Sequence, residues 1–97
     1  MSSKRVLEST IEDSVTVYAA SKEVVSLKLN VRGNNGWPDR IYLFGGKCWF
    51  VEFKRKGEHP RALQEHVHSK LRNVGAVVRV IDDIQQGKEL IDELTRL

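Results

Sequence analysis

The sequence predicts an α/β fold, a mixed β-sheet flanked by helices with elements in the order α-β-β-β-α-β-α. Three observations carry this reading. Two apolar, β-rich runs on either side of Gly45-Gly46 read as a hairpin, because a two-residue primed turn needs positive φ that glycine reaches without steric cost. Two stretches, Leu7 to Ala19 and Leu63 to Val74, repeat apolar residues at helical spacing. Ala76 to Ile81 is almost continuously apolar, as a strand covered on both sides would be.

Taken in order, Ser2 or Ser3 can cap a first helix whose stripe of Leu7, Ile11, Val15 and Tyr18-Ala19 runs to about Lys22. Val24 to Val31 alternates, with Val25, Leu27, Leu29 and Val31 on one face and Ser26, Lys28 and Asn30 on the other. Arg32 to Gly36 is a loop by composition. Pro38 biases Trp37 toward extended geometry and marks the start of the second strand. After the hairpin, Gly57-Glu58-His59-Pro60 forms a loop, with Pro60 suited to the first turn of a helix. That helix buries Leu63, Val67, Leu71 and Val74 and closes on Gly75 as a left-handed cap. A crossover leads to the strand from Ala76 to Ile81, and Lys88 to Leu97 forms a short last helix.

Ninety-seven residues, 40% hydrophobic and 30% charged, describe one small domain over the whole of residues 1–97 with a modest core. A net charge of +3 permits a polyanionic partner. Lys28, Arg32, Arg40, Arg55, Lys56 and Arg61 crowd the central stretch and are candidate phosphate contacts. A single cysteine, Cys48, excludes an intrachain disulfide and a cysteine-based zinc cluster. There is no apolar run of signal-peptide or membrane-spanning length, so an intracellular location is expected.

Counting through the hairpin locates the chemistry. With Phe44 opposite Lys47, Asp39 falls across from Glu52, their Cβ atoms roughly 4.5–5.5 Å apart, and like charges so placed are destabilising. Lys54 shares the face of Glu52 and lies on the diagonal from Asp39. Two carboxylates sharing a cation, with an ammonium beside them, make a hydrolytic site, and hard oxygen donors of this kind suit Mg²⁺ or Mn²⁺. The backbone carbonyl of Phe53 is a further ligand candidate. Glu8 and Glu12 point to one side of the first helix, a like-charge pair costing roughly 0.2–0.5 kcal/mol unless a cation is near. His59, His66 and His68 do not form a metal set, because two histidines two apart on a helix point away from each other; all three are expected to face solvent or DNA.

Gly36-Trp37-Pro38-Asp39, followed after twelve residues by Glu52-Phe53-Lys54, resembles the PD-(D/E)xK nuclease signature. Leu27-Lys28, Gly36-x-Pro38-Asp39-Arg40-Ile41, Phe50 to Lys54, Gln64 and Leu71-x-x-x-Gly75 before a Val-rich run are similar to the VRR-NUC family over about residues 8 to 82. The resemblance implies a restriction-endonuclease-like core. It also implies a metal site completed by a first-helix glutamate, Glu8 with Glu12 as rival, and a glutamine, Gln64, that faces the site and orients the substrate phosphate or Lys54. It implies catalysis by Asp39, Glu52, Lys54 and Gln64, and a structure-selective endonuclease cutting branched DNA, four-way junctions above all, as a homodimer. Two alternatives stay open: a non-catalytic nucleic-acid-binding module, and a nuclease preferring flaps or another branched DNA. A sequence-specific restriction enzyme is disfavoured by length, since reading bases needs added segments.

Overall fold

The computed structural model describes residues 6–33 and 35–96. Seven elements follow one another: α1 (Glu8–Ser21), β1 (Val25–Lys28), β2 (Arg40–Phe44), β3 (Lys47–Phe53), α2 (Ala62–Asn73), β4 (Val77–Ile81) and α3 (Ile84–Leu94). The expected order holds. The sheet has the spatial order β1-β2-β3-β4, with the first three strands antiparallel and β4 parallel to β3. The glycine pair makes the tight turn with φ of 56° and 80°, and Phe44 pairs with Lys47 as counted.

The strands' two-residue period divides the sheet into unlike faces. Tyr42, Val51, Phe53 and Ile81 point to one face and are almost fully buried against Ile11, Val15 and Ala19 of α1 and Leu90, Ile91 and Leu94 of α3. The opposite face of β3 carries Glu52 and Lys54, and α2 lies over it at the β3–β4 side. The core therefore sits on one side of the sheet, and Glu52 and Lys54 lie on the other.

Several details depart from the sequence expectation. Helix α1 begins at Glu8, with Leu7 at the cap position and half exposed; Ser2 and Ser3 lie outside the described residues. Strand β1 is shorter than expected, and its apolar side is the exposed one, because Ser26 and Lys28 turn toward α1 and pair with Arg40 and Glu12. Pro60 precedes α2, which buries Gln64, Val67 and His68 while Leu63 and Val74 are exposed. The buried stripe is thus rotated from the expected one, because the face of β3 that it meets is polar. Gly75, with φ of 92°, closes α2 as expected, and the Ala76 amide donates back to the Leu71 carbonyl. Strand β4 is an edge strand with Val77 exposed, yet α2 and α3 pack against it and bury Val78 on one face and Ile81 on the other, as expected.

Helix α3 starts four residues earlier than the apolar pattern suggests. Asp83 caps it by accepting the Gln86 amide at 3.1 Å, and Gly87 continues the helix instead of interrupting it. A Cβ on Gly87 would stand 2.2 Å from Cγ2 of Val15, so the glycine permits the close approach of α1 and α3. Substituting Gly87→Ala is therefore expected to destabilise, although alanine is the better helix former by about 0.8–1.0 kcal/mol. Overpacking of this kind costs roughly 1–3 kcal/mol, and thermal denaturation should show a Tm lowered by several degrees. An unchanged or raised Tm would mean that the helices part without cost.

Candidate active site

The segment before β2 is placed by backbone contacts. Gly36 has φ of 101°, and a Cβ there would meet the Leu63 backbone oxygen at 3.0 Å, so the loop lies directly on the start of α2. Asp39 follows through the buried Pro38. Its carbonyl accepts the Leu29 amide at 2.9 Å, and its own amide donates to the Val51 carbonyl at 3.0 Å. The ladder counted from the hairpin ends at Arg40 opposite Val51, one pair short of Asp39 and Glu52. Asp39 leaves that register, and its Oδ2 accepts the Phe53 amide at 2.7 Å.

Asp39, Glu52 and Glu8 nevertheless converge. Each offers a carboxylate oxygen within 4.8 Å of the others, the one such group of three among the described residues. Glu52 is 2% exposed. Burial, then the neighbouring Asp39, push its pKa up to about 8. Asp39 is raised by burial against the opposing effect of the Phe53 amide, and Glu8 is raised by burial and by Asp39. The donor set is wholly hard oxygen, and Oε1 of Glu52 is buried without a hydrogen-bond partner. Both features fit a small divalent cation.

Glu8 and Glu12 receive different surroundings. Glu12 is buried and neutralised, with Lys28 Nζ at 2.8 Å and Arg40 Nε at 2.6 Å from the same oxygen. Glu8 joins the carboxylate group and Glu12 does not. Lys28 and Arg40 are thereby committed to Glu12, whereas Arg32, Arg55, Lys56 and Arg61 are exposed. Arg32 and Arg61 line an open groove that also includes Trp37, Asp39 and Gln64.

Lys54 is nearly buried, with Nζ 3.6 Å from Glu52 Oε2. Gln64 donates to that same oxygen at 3.0 Å, while its own carbonyl accepts the Arg61 amide at 2.8 Å. Gln64 thus fixes Glu52 and simultaneously satisfies a free amide at the start of α2. His66 is exposed, but His68 corrects the expectation of a solvent- or DNA-facing residue: it is fully buried, with Nε2 3.8 Å from Glu52 Oε1. The i, i+4 spacing from Gln64 was the available signal.

No family model matches the chain, and no curated protein does. Among solved structures, a chain described as a VRR_NUC domain superposes with a TM-score of 0.80 at 29% identity, over 88% of this chain and 94% of that one. The likeness in fold and sequence supports the VRR-NUC family for this chain. The VRR-NUC assignment supports a nuclease domain, and its mixed four-stranded sheet flanked by helices is the fold shared with that structure. Among the described residues no helix is long and apolar enough to cross a membrane.

The raised carboxylates make stability depend on pH. An acid whose pKa is higher in the folded than in the unfolded chain binds more protons when folded. Its stabilising contribution is complete below about pH 4.5 and is lost as pH rises through about 8. Burial lowers the His68 pKa, which acts in the opposite direction, but only below its ordinary value of 6.5. Thermal melts in EDTA between pH 7 and 9 are therefore expected to show a falling Tm, and Glu52→Gln should flatten that slope. A profile that rises with pH, or an equal slope in the variant, would refute the assignment.

Proposed function

We propose that this VRR-NUC domain is a Mg²⁺- or Mn²⁺-dependent endonuclease that hydrolyses phosphodiester bonds in branched DNA, four-way junctions in particular, as a homodimer inside the cell. The observation that carries the reading is the convergence of Glu8, Asp39 and Glu52, with Lys54 beside them. These three carboxylates would hold the ion, with the Phe53 carbonyl as a further ligand. When bound, such an ion polarises a phosphoryl oxygen and lowers the pKa of an attacking water.

The chain's own residues supply the rest. Lys54 is placed to position the water and to stabilise negative charge developing on the phosphoryl group. Gln64 holds Glu52 by one of its two oxygens, keeping the carboxylate's rotation restricted. Arg32, Arg55, Lys56 and Arg61 are free to contact phosphates, whereas Lys28 and Arg40 chiefly lock Glu12. Phosphate contacts position a strand without reading its sequence, which suits selection by shape.

A homodimer is supported by the half of the sheet that α2 leaves uncovered. Val25 and Leu27 of β1 are 58% and 52% exposed, beside the part-exposed Ile41 and Leu43 of β2. A two-fold pair joined there would present two sites to a two-fold substrate.

Single-turnover assays on labelled four-way junction, flap, splayed-arm and linear DNA test the activity. Cutting should require Mg²⁺ or Mn²⁺ and favour the junction, and Asp39→Asn and Lys54→Ala should each lower the rate by about 10²-fold or more. Binding without cutting in either metal would instead identify a binding module, and undiminished cutting by both variants would exclude this site. Sedimentation of Leu27→Asp should shift the wild-type dimer toward monomer. A wild type that is already monomeric at assay concentration rejects the dimer alone.

A further inference from the structure

His68 lies at the centre of the inner face of α2 and has no exposed surface. Neither ring nitrogen has a hydrogen-bond partner, nor does Oε1 of Glu52, which is 3.8 Å from Nε2. The other Glu52 oxygen is already bound by Gln64 at 3.0 Å. Gln64 and His68 are four residues apart, so one face of one helix presents a polar side chain to each oxygen of a single carboxylate.

Packing does not account for an imidazole here. A buried polar group without partners loses its hydration and gains nothing in return, whereas an aliphatic side chain of similar size would suit a dry position. An imidazole protonated on Nε2 has an N–H to donate to a carboxylate oxygen in either its neutral or its charged form.

We propose that His68 is a positioning residue for the divalent-ion site, donating from Nε2 to Glu52 Oε1 so that His68 and Gln64 together set the plane of the carboxylate. The separation exceeds the hydrogen-bond range, and the bond forms by a side-chain shift of less than about 1 Å. Partners of this kind orient metal-binding carboxylates, and losing one typically weakens metal affinity about 10–100-fold. The inference rests on the proposed ion site.

The test uses Mn²⁺ titration by calorimetry of the DNA-free protein, together with thermal melts in EDTA. His68→Leu is expected to bind Mn²⁺ about 10–100-fold more weakly, while melting in EDTA at or above the wild-type temperature. His68→Gln, whose amide can reach the position of Nε2, should recover most of the affinity, and His68→Asn, which places its amide nearer Nδ1, should not. A lowered melting temperature with Mn²⁺ affinity within about twofold of wild type would make His68 a packing residue. Equal affinities for the Gln and Asn variants would likewise overturn the hydrogen bond, and this comparison serves if the Leu variant does not fold. Wild-type protein that binds no Mn²⁺ removes the ion site itself, whereas wild-type binding that His68→Leu leaves unchanged removes only the role of His68.

Discussion

Three carboxylates gathered within 4.8 Å, one of them almost wholly out of water, repel one another strongly enough to determine what can surround them. Burial is the chief cause that displaces Glu52, Asp39 and Glu8 upward, and the charge of Asp39 raises Glu52 and Glu8 further, so without a cation protonation is favoured. The protein does not remove the tension with a close salt bridge. Lys54 stands 3.6 Å from Glu52, and the direct hydrogen bond to the carboxylate comes from the neutral Gln64. A site meant only for stability would pair the buried charge closely or dispense with it. Here the compensating charge is left incomplete, which is the condition a cation-binding site requires.

The fold reaches this arrangement by separating support from chemistry. Tyr42, Val51, Phe53 and Ile81 anchor the sheet to α1 and α3, while the alternate residues of β3 are free to carry Glu52 and Lys54. Helix α1 serves both faces. Glu12, one turn beyond Glu8, is bound by Lys28 of β1 and Arg40 of β2, and that ion cluster ties the helix to the sheet edge. Glu8, at the start of the same helix, is thereby presented to Asp39 and Glu52. The like-charge pair visible in the sequence is resolved by assigning one glutamate to two cations and the other to the carboxylate group. Gly87 acts at longer range, because its missing side chain determines how closely α3 can press α1 against the sheet.

Much of this was legible where local chemistry and period agree. The Gly45-Gly46 turn imposed its register, and with it the shared face of Glu52 and Lys54. The meeting of Asp39 with Glu52 was also foreseeable, though by a route that counting missed: Asp39 leaves the ladder and reaches across to the Phe53 amide. Polarity misled wherever a polar surface is the buried one. Val25 and Leu27 look like an inward face but lie outside, because Lys28 and Ser26 are drawn toward Glu12 and Arg40. Leu63 and Val74 look like the buried stripe of α2, yet Gln64 and His68 turn inward to meet Glu52. The last helix was expected from Lys88, and Gly87 lies inside it because its missing side chain admits Val15. In each case a long-range contact overrides a local preference, and periodicity alone carries no information about that contact.

The same partition bears on how a phosphodiester strand meets the site. Of the six basic residues that crowd the central sequence, Lys28 and Arg40 share the single negative charge of Glu12, which offsets one of their two positive charges. Arg55 and Lys56 follow β3 in the chain, and Arg32 and Arg61 line the groove containing Asp39 and Gln64. The remaining exposed positive charge therefore includes the lining of the groove that holds Asp39. Exposed cations of this kind attract a polyanion, whereas the carboxylates repel a phosphate placed against them unless a cation intervenes. Under the proposed function, cation binding and strand binding would consequently be coupled, each supplying the charge, or the approach, that the other lacks.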